Sequence, residues 1–99
     1  MTKGYWIGHV EVTDAELYKE YVKLNGAAFS KYGAKFLVRG GGDGAEMKSG
    51  SLKARHVVIE FPSLEIAKAC HESPEYQKAL AVRERASVAD IVIVEGYDG

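Results

Sequence analysis

Cysteine is nearly absent from this 99-residue chain, where Cys70 stands alone. No disulfide can close within the chain, and no cysteine-based zinc site can be assembled. Proline occurs only at Pro62 and Pro74, so nothing reads as a proline-rich linker. Charge of one sign is missing too: 13 Lys+Arg face 14 Asp+Glu, for a formal net charge of −1. That balance speaks against nucleic acid and anionic membrane as partners, because both need a positive field to collect phosphates. Long apolar runs are lacking; Ile91–Val94 is far short of a membrane span. Met1-Thr2-Lys3-Gly4 leads straight into a strand-like run, without the apolar core of a signal peptide. A reducing, cytoplasmic setting is the expectation.

What is present is ordinary globular material, 46% hydrophobic and 27% charged, too rich in apolar residues for a disordered chain. One domain spanning residues 1–99 is expected, with no repeat or linker. A chain of this size buries only about 60–65% of its unfolded surface on folding, so a partner chain would add materially to stability.

The run Tyr5-Trp6-Ile7-Gly8-His9-Val10-Glu11-Val12 is aromatic and β-branched and reads as a strand. Thr13-x-x-Glu16 then has the form of a capping box. Leu17, Tyr18, Tyr21, Val22, Asn25, Ala28, Phe29 and Tyr32 follow at three- and four-residue spacing, the apolar stripe of an amphipathic helix, which Gly33 ends. Lys35–Arg39 reads as a second strand running into the glycine-rich, polar segment 40–51, a mobile hairpin connection. Arg55–Phe61 is the clearest strand, stopped by Pro62. Ser63 caps a short helix through Cys70; Ser73-Pro74-Glu75 restarts it, and Tyr76, Leu80 and Arg83 carry it to about Ala86. The last strand is read as Asp90–Tyr97.

The order β-α-β-β-α-β folds, through right-handed crossovers, into the α+β ferredoxin-like plan: a four-stranded antiparallel sheet with two helices on one face, in the spatial order fourth, first, third, second strand. Splitting each strand by alternation gives one apolar set for the helix side: Gly8, Val10, Val12, Phe36, Val38, Val57, Ile59, Phe61, Val92 and Val94. The other set mixes apolar with ionisable side chains: Tyr5, Ile7, His9, Glu11, Lys35, Leu37, Arg39, His56, Val58, Glu60, Ile91, Ile93, Glu95 and Tyr97. That second face carries too much apolar area to stay wet. The economical cover is a second copy of the same sheet about a twofold axis, so a homodimer joined through its sheet faces is expected.

The segments Gly4-Tyr5-Trp6-Ile7, Phe36-Leu37-Val38-Arg39-Gly40-Gly41, Val58-Ile59-Glu60-Phe61-Pro62-Ser63, Ser73-Pro74-Glu75-Tyr76 and Val94-Glu95-Gly96-Tyr97 span nearly the whole chain. Together they resemble the family called domain of unknown function 1330. The resemblance implies a dimeric α+β barrel, a superfamily whose related families include cofactor-free monooxygenases, haem-binding enzymes, isomerases and stress proteins. The chain departs from the family's usual look between Gly42 and Lys53.

His9, His56 and Glu60 fall on the mixed face of strands expected to be neighbours. With Arg39 they form the expected catalytic set: histidine for proton transfer near neutral pH, Glu60 as orienting partner, and the Arg39 fork for a carboxylate or enolate oxygen. Tyr5, Arg39, Tyr76 and Tyr97 are the expected ligand contacts. No metal site is expected, because two strand histidines lack a chelating helix motif, and no tightly held cofactor is expected either. The ligand class is a small organic molecule, aromatic or carboxylate-bearing, with cofactor-free acid–base chemistry if the protein is catalytic. The alternative is a non-enzymatic dimerisation module with no open pocket. Gly40–Gly44 is no phosphate loop, since no Gly-Lys-Ser/Thr follows. Cys70 reads as a buried apolar residue and Arg83-Glu84-Arg85 as a solvated helix face.

Overall fold

Alternating burial along the first strand sets the architecture. In the computed structural model, which describes residues 2–99, β1 (Gly4–Val12) buries Gly4, Trp6, Gly8 and Val10 and leaves the residues between them partly open. It is followed by α1 (Ala15–Lys31), β2 (Lys35–Gly41), a short 3₁₀ turn (Gly42–Gly44), β3 (Arg55–Phe61), α2 (Leu64–Glu72), α3 (Pro74–Ala86) and β4 (Ser87–Glu95). The strands form one sheet in the order β2-β3-β1-β4, antiparallel at every pairing. This is the ferredoxin-like α+β plan, with the second helical stretch broken in two at Ser73.

Helix ends follow from local chemistry. The Asp14 carboxylate, not the Thr13 hydroxyl, accepts the Leu17 amide at 3.0 Å, so the capping box expected at Thr13 is replaced by an Asp cap one residue later. Thr13 is instead held by its own amide, which donates to the Ala86 carbonyl at 2.8 Å. Gly33 ends α1 with φ +68°, the left-handed conformation that glycine adopts without strain. Ser73 serves two helices at once: its hydroxyl accepts from the Tyr76 amide at 3.1 Å and donates to the Cys70 carbonyl at 2.7 Å.

The core lies between sheet and helices. Trp6, Phe29, Phe61 and Tyr76 pack ring against ring, with Trp6 centred 4.8 to 5.3 Å from the other three, distances typical of favourable edge and offset contacts. The Trp6 indole N–H is satisfied by the Ala67 carbonyl at 2.9 Å. Gly4 permits the closest approach of strand to helix, since a Cβ there would stand 2.5 Å from the Ser63 carbonyl oxygen.

Two side-chain assignments differ from the alternation expected from sequence. Phe36 pairs with Ile59 but Val38 pairs with Val58, so Leu37 is an extra residue, a β-bulge. Beyond it every side chain of β2 changes face: Val38 joins the open side, and Arg39, opposite Val57, turns to the helix side. In β4 the parity is inverted. Trp6 pairs with Ile93 and Gly8 with Ile91, so the isoleucines face the helices while Val88, Val92 and Val94 lie on the open face, 55%, 52% and 40% exposed. Both sets of β4 are apolar, so alternation alone carries no face information there; the register against β1 decides it.

Candidate functional site

The sheet separates two groups of polar side chains. On the open face, β1 and β3 are in register with His9 opposite His56 and Tyr5 opposite Glu60. The histidine Nδ1 atoms stand 3.0 Å apart, close enough to share one proton, with one ring donating and the other accepting. The Tyr5 hydroxyl donates to Glu60 Oε2 at 3.0 Å, and that carboxylate holds the Tyr5 phenol above its ordinary value. Asp90, opposite His9, is paired with Lys53. Around these groups lie Ile7, Val38, Val58, Val92 and Val94, so ionisable pairs sit within an apolar surface.

Arg39 does not join them. The bulge at Leu37 carries it to the other side, where its guanidinium lies 4.3 Å from the centre of the Phe36 ring. The expected quartet of His9, His56, Glu60 and Arg39 is therefore divided by the sheet, three groups on one face and one on the other. The expected ligand contacts scatter as well. Tyr76 is fully buried in the core rather than open to a ligand, with its hydroxyl 3.0 Å from that of Tyr21. Tyr97 follows β4 and is 94% exposed, and Tyr5 is bound to Glu60.

The helix side holds a cleft that sequence reasoning did not assemble. Two adjoining hollows, each of about 30 Å³, share Tyr18, Tyr21, Val57 and Ile59 as walls. The first is closed by Trp6, Gly8, Val10, Ile91 and Arg83; the second by Val22, Asn25, Phe29, Phe36, Arg39 and Arg55. Each hollow is large enough for water or one small polar group. Gly8 lines the floor of the first hollow, where a Cβ would stand 3.4 Å from Ile91, in ordinary contact. Arg55 stacks 5.6 Å from the Tyr18 ring centre. Burial raises both the Tyr21 and Tyr76 phenols above their ordinary range, with Arg83 opposing the shift through its nearby charge, so both hydroxyls are neutral donors at neutral pH.

Faint signals of this cleft exist in the chain. Asn25 interrupts the apolar stripe of α1, and Arg83 falls seven residues after Tyr76 and three after Leu80, on the buried line of α3. Arg83 is half-buried rather than part of a solvated face. Arg55 shares the parity of Val57, Ile59 and Phe61 and so falls on the helix side by alternation, whereas Arg39 carried no such signal, since its side depends on the bulge.

Among the described residues no cluster of three or more His, Cys, Asp or Glu side chains is placed to hold a metal ion, and no helix is long and apolar enough to cross a membrane.

Several solved structures share this fold. A protein of unknown function from Rhodopseudomonas palustris is 17% identical, with 99% of this chain and 85% of that one covered and a TM-score of 0.73. SnoaB, a cofactor-independent oxygenase from Streptomyces nogalater, is 8% identical over 100% and 97% of the two chains, with a TM-score of 0.65. A dimeric protein of unknown function and ferredoxin-like fold from Bacteroides fragilis is 15% identical over 94% and 95%, with a TM-score of 0.55. At these identities the likeness shows the fold alone. No curated protein matches. The profile of the family described as domain of unknown function (DUF1330) matches residues 3–97, nearly the whole chain, and the protein belongs to that family.

Proposed function

We propose that this protein is a homodimer, joined through the open faces of its sheets, that binds a small organic molecule in the cleft between sheet and helices. The observation that carries the reading is the division of labour between the two sides of the sheet. The open face presents Val38, Val88, Val92 and Val94, each 40% to 55% exposed, apolar surface that a second copy of the sheet would cover. The helix side presents a cleft with aromatic walls and polar groups directed into it, the composition of a ligand site. A protein of the same fold from Bacteroides fragilis is dimeric, which supports association of two copies. Sedimentation at micromolar concentration, combined with a thermal-shift screen of metabolites, tests both halves. A monomer refutes the pairing, and a screen without hits favours a dimerisation module with no usable pocket.

A second reading is favoured by the 3.0 Å contact between His9 and His56. Two imidazoles in hydrogen-bond contact, on the same sheet face as the Tyr5–Glu60 pair, are equipped for acid–base chemistry, and such chemistry needs no bound cofactor. SnoaB, of the same fold, is a cofactor-independent oxygenase. In this reading the reaction takes place on the open-face side of the sheet, and His9→Ala and Glu60→Ala abolish the response to ligands found in the screen. Ligand responses indifferent to both substitutions refute it.

A further inference from the structure

We infer that the cleft is a site for an organic carboxylate, its charge held by Arg55 and Arg83 with Arg39 at the rim. The inference rests on the reading of this cleft as the ligand site and names the class of ligand. Three elements, β2, β3 and α3, each direct one guanidinium to the adjoining hollows. The four ion pairs among the described residues all use lysines; none of these three arginines has a carboxylate within 4 Å, although the chain carries 14 Asp and Glu. The Nε atoms of Arg55 and Arg83 are buried without an acceptor. Arginine cannot shed its proton to relieve such a position, so an external anion is what balances the charge.

Stacking favours the same conclusion. Arg39 over Phe36 and Arg55 over Tyr18 spend no N–H donor on an acceptor in these aromatic contacts. A guanidinium with unspent donors presents the fork that matches a carboxylate with two parallel hydrogen bonds. Each hollow of about 30 Å³ suits a carboxylate head, while Trp6, Phe36 and Ile59 offer contact only to hydrocarbon, which selects an organic anion over an inorganic one. The body of the ligand lies towards the exposed rim at Arg39.

Trp6 is the sole tryptophan and borders the cleft, so its emission reports occupancy. The test titrates benzoate, benzamide and inorganic phosphate, by Trp6 fluorescence and calorimetry, into the wild-type protein and into Arg55→Met, Arg83→Met and Arg39→Met. The expected result is benzoate at least tenfold tighter than benzamide or phosphate. Arg55→Met and Arg83→Met are expected to weaken benzoate at least tenfold, with a melting temperature of the unliganded protein equal to or above wild type, because each removes an uncompensated charge. Arg39→Met, at an exposed position, supplies the same comparison if either of the others fails to fold. Benzamide as tight as benzoate overturns the anionic class while leaving the cleft a ligand site. Phosphate as tight as benzoate overturns the organic class. Variants that melt lower and bind benzoate unchanged make the arginines structural and overturn the inference. No response to any of the three probes overturns the ligand reading of the cleft itself.

Discussion

Val92 offers the most direct test of the proposed pairing. It sits on the open face of β4 opposite Ile7 and is 52% exposed. Fully burying a valine contributes about 1.5–3 kcal/mol, so covering its exposed half contributes roughly 1 kcal/mol per subunit and roughly 2 kcal/mol per twofold dimer. Val92→Thr keeps the branched shape and strand preference while placing a hydroxyl in the seam; it is expected to weaken the dimer by roughly 2 kcal/mol, about 30-fold in Kd. Val92→Glu loses the same contact and adds one carboxylate from each subunit to an apolar interface. The combined effect is roughly 4 kcal/mol or more, about a thousandfold. Because Val92 is half in water in the single subunit, the fold itself loses no more than about 1 kcal/mol. Sedimentation equilibrium reads the Kd, and urea unfolding checks the subunit. A Val92→Glu protein that associates like wild type refutes the seam, and a Glu variant that unfolds before it dissociates shows that Val92 belongs to the fold rather than the interface.

Other expectations concern the fold. Burial pushes the Cys70 thiol up to about 12 and raises the Tyr21 and Tyr76 phenols; the folded chain thus keeps protons that the unfolded chain releases near pH 8.5 for thiol and 10 for phenol. Stability is fully present below those unfolded values and declines as pH rises from about 9 towards the folded values, so the urea midpoint falls between pH 9 and 11; a midpoint that rises there contradicts the assignment. The Cys70 thiol, fully buried, is expected to react with a thiol reagent only at the rate of opening, and fast labelling of the native protein refutes its burial. Gly4→Ala forces a Cβ to within 2.5 Å of the Ser63 carbonyl oxygen and is expected to cost about 1–3 kcal/mol by denaturant titration. Ser73→Ala removes the hydroxyl that joins α2 to α3 and is expected to cost about 1–2 kcal/mol; an unchanged midpoint shows that the cap is dispensable.

The elements, their order and the helix ends other than the α1 start, where Asp14 replaces Thr13 as the cap, were legible because each is written in local chemistry. Ser63 and Ser73 cap where serine precedes a helical stripe, Gly33 takes the left-handed turn, and Arg55–Phe61 alternates cleanly. The presence of apolar residues on both sheet faces was legible too, since Ile7, Val58 and both alternating sets of β4 are apolar, whichever way β4 is turned. The composition of the candidate site was not. A single extra residue, Leu37, reverses the side of Arg39, and such a bulge is set by pairing with β3 rather than by anything within β2. In β4 both alternating sets are apolar, so only its register against Trp6 and Gly8 sends Ile91 and Ile93 inward. Arg55 and Arg83 lie 28 residues apart in sequence and reach neighbouring hollows only because α3 packs over the face to which β3 presents its alternate side chains. Local periodicity fixes which residues alternate; which side of the sheet each one meets is decided between strands, by contacts that no single segment contains.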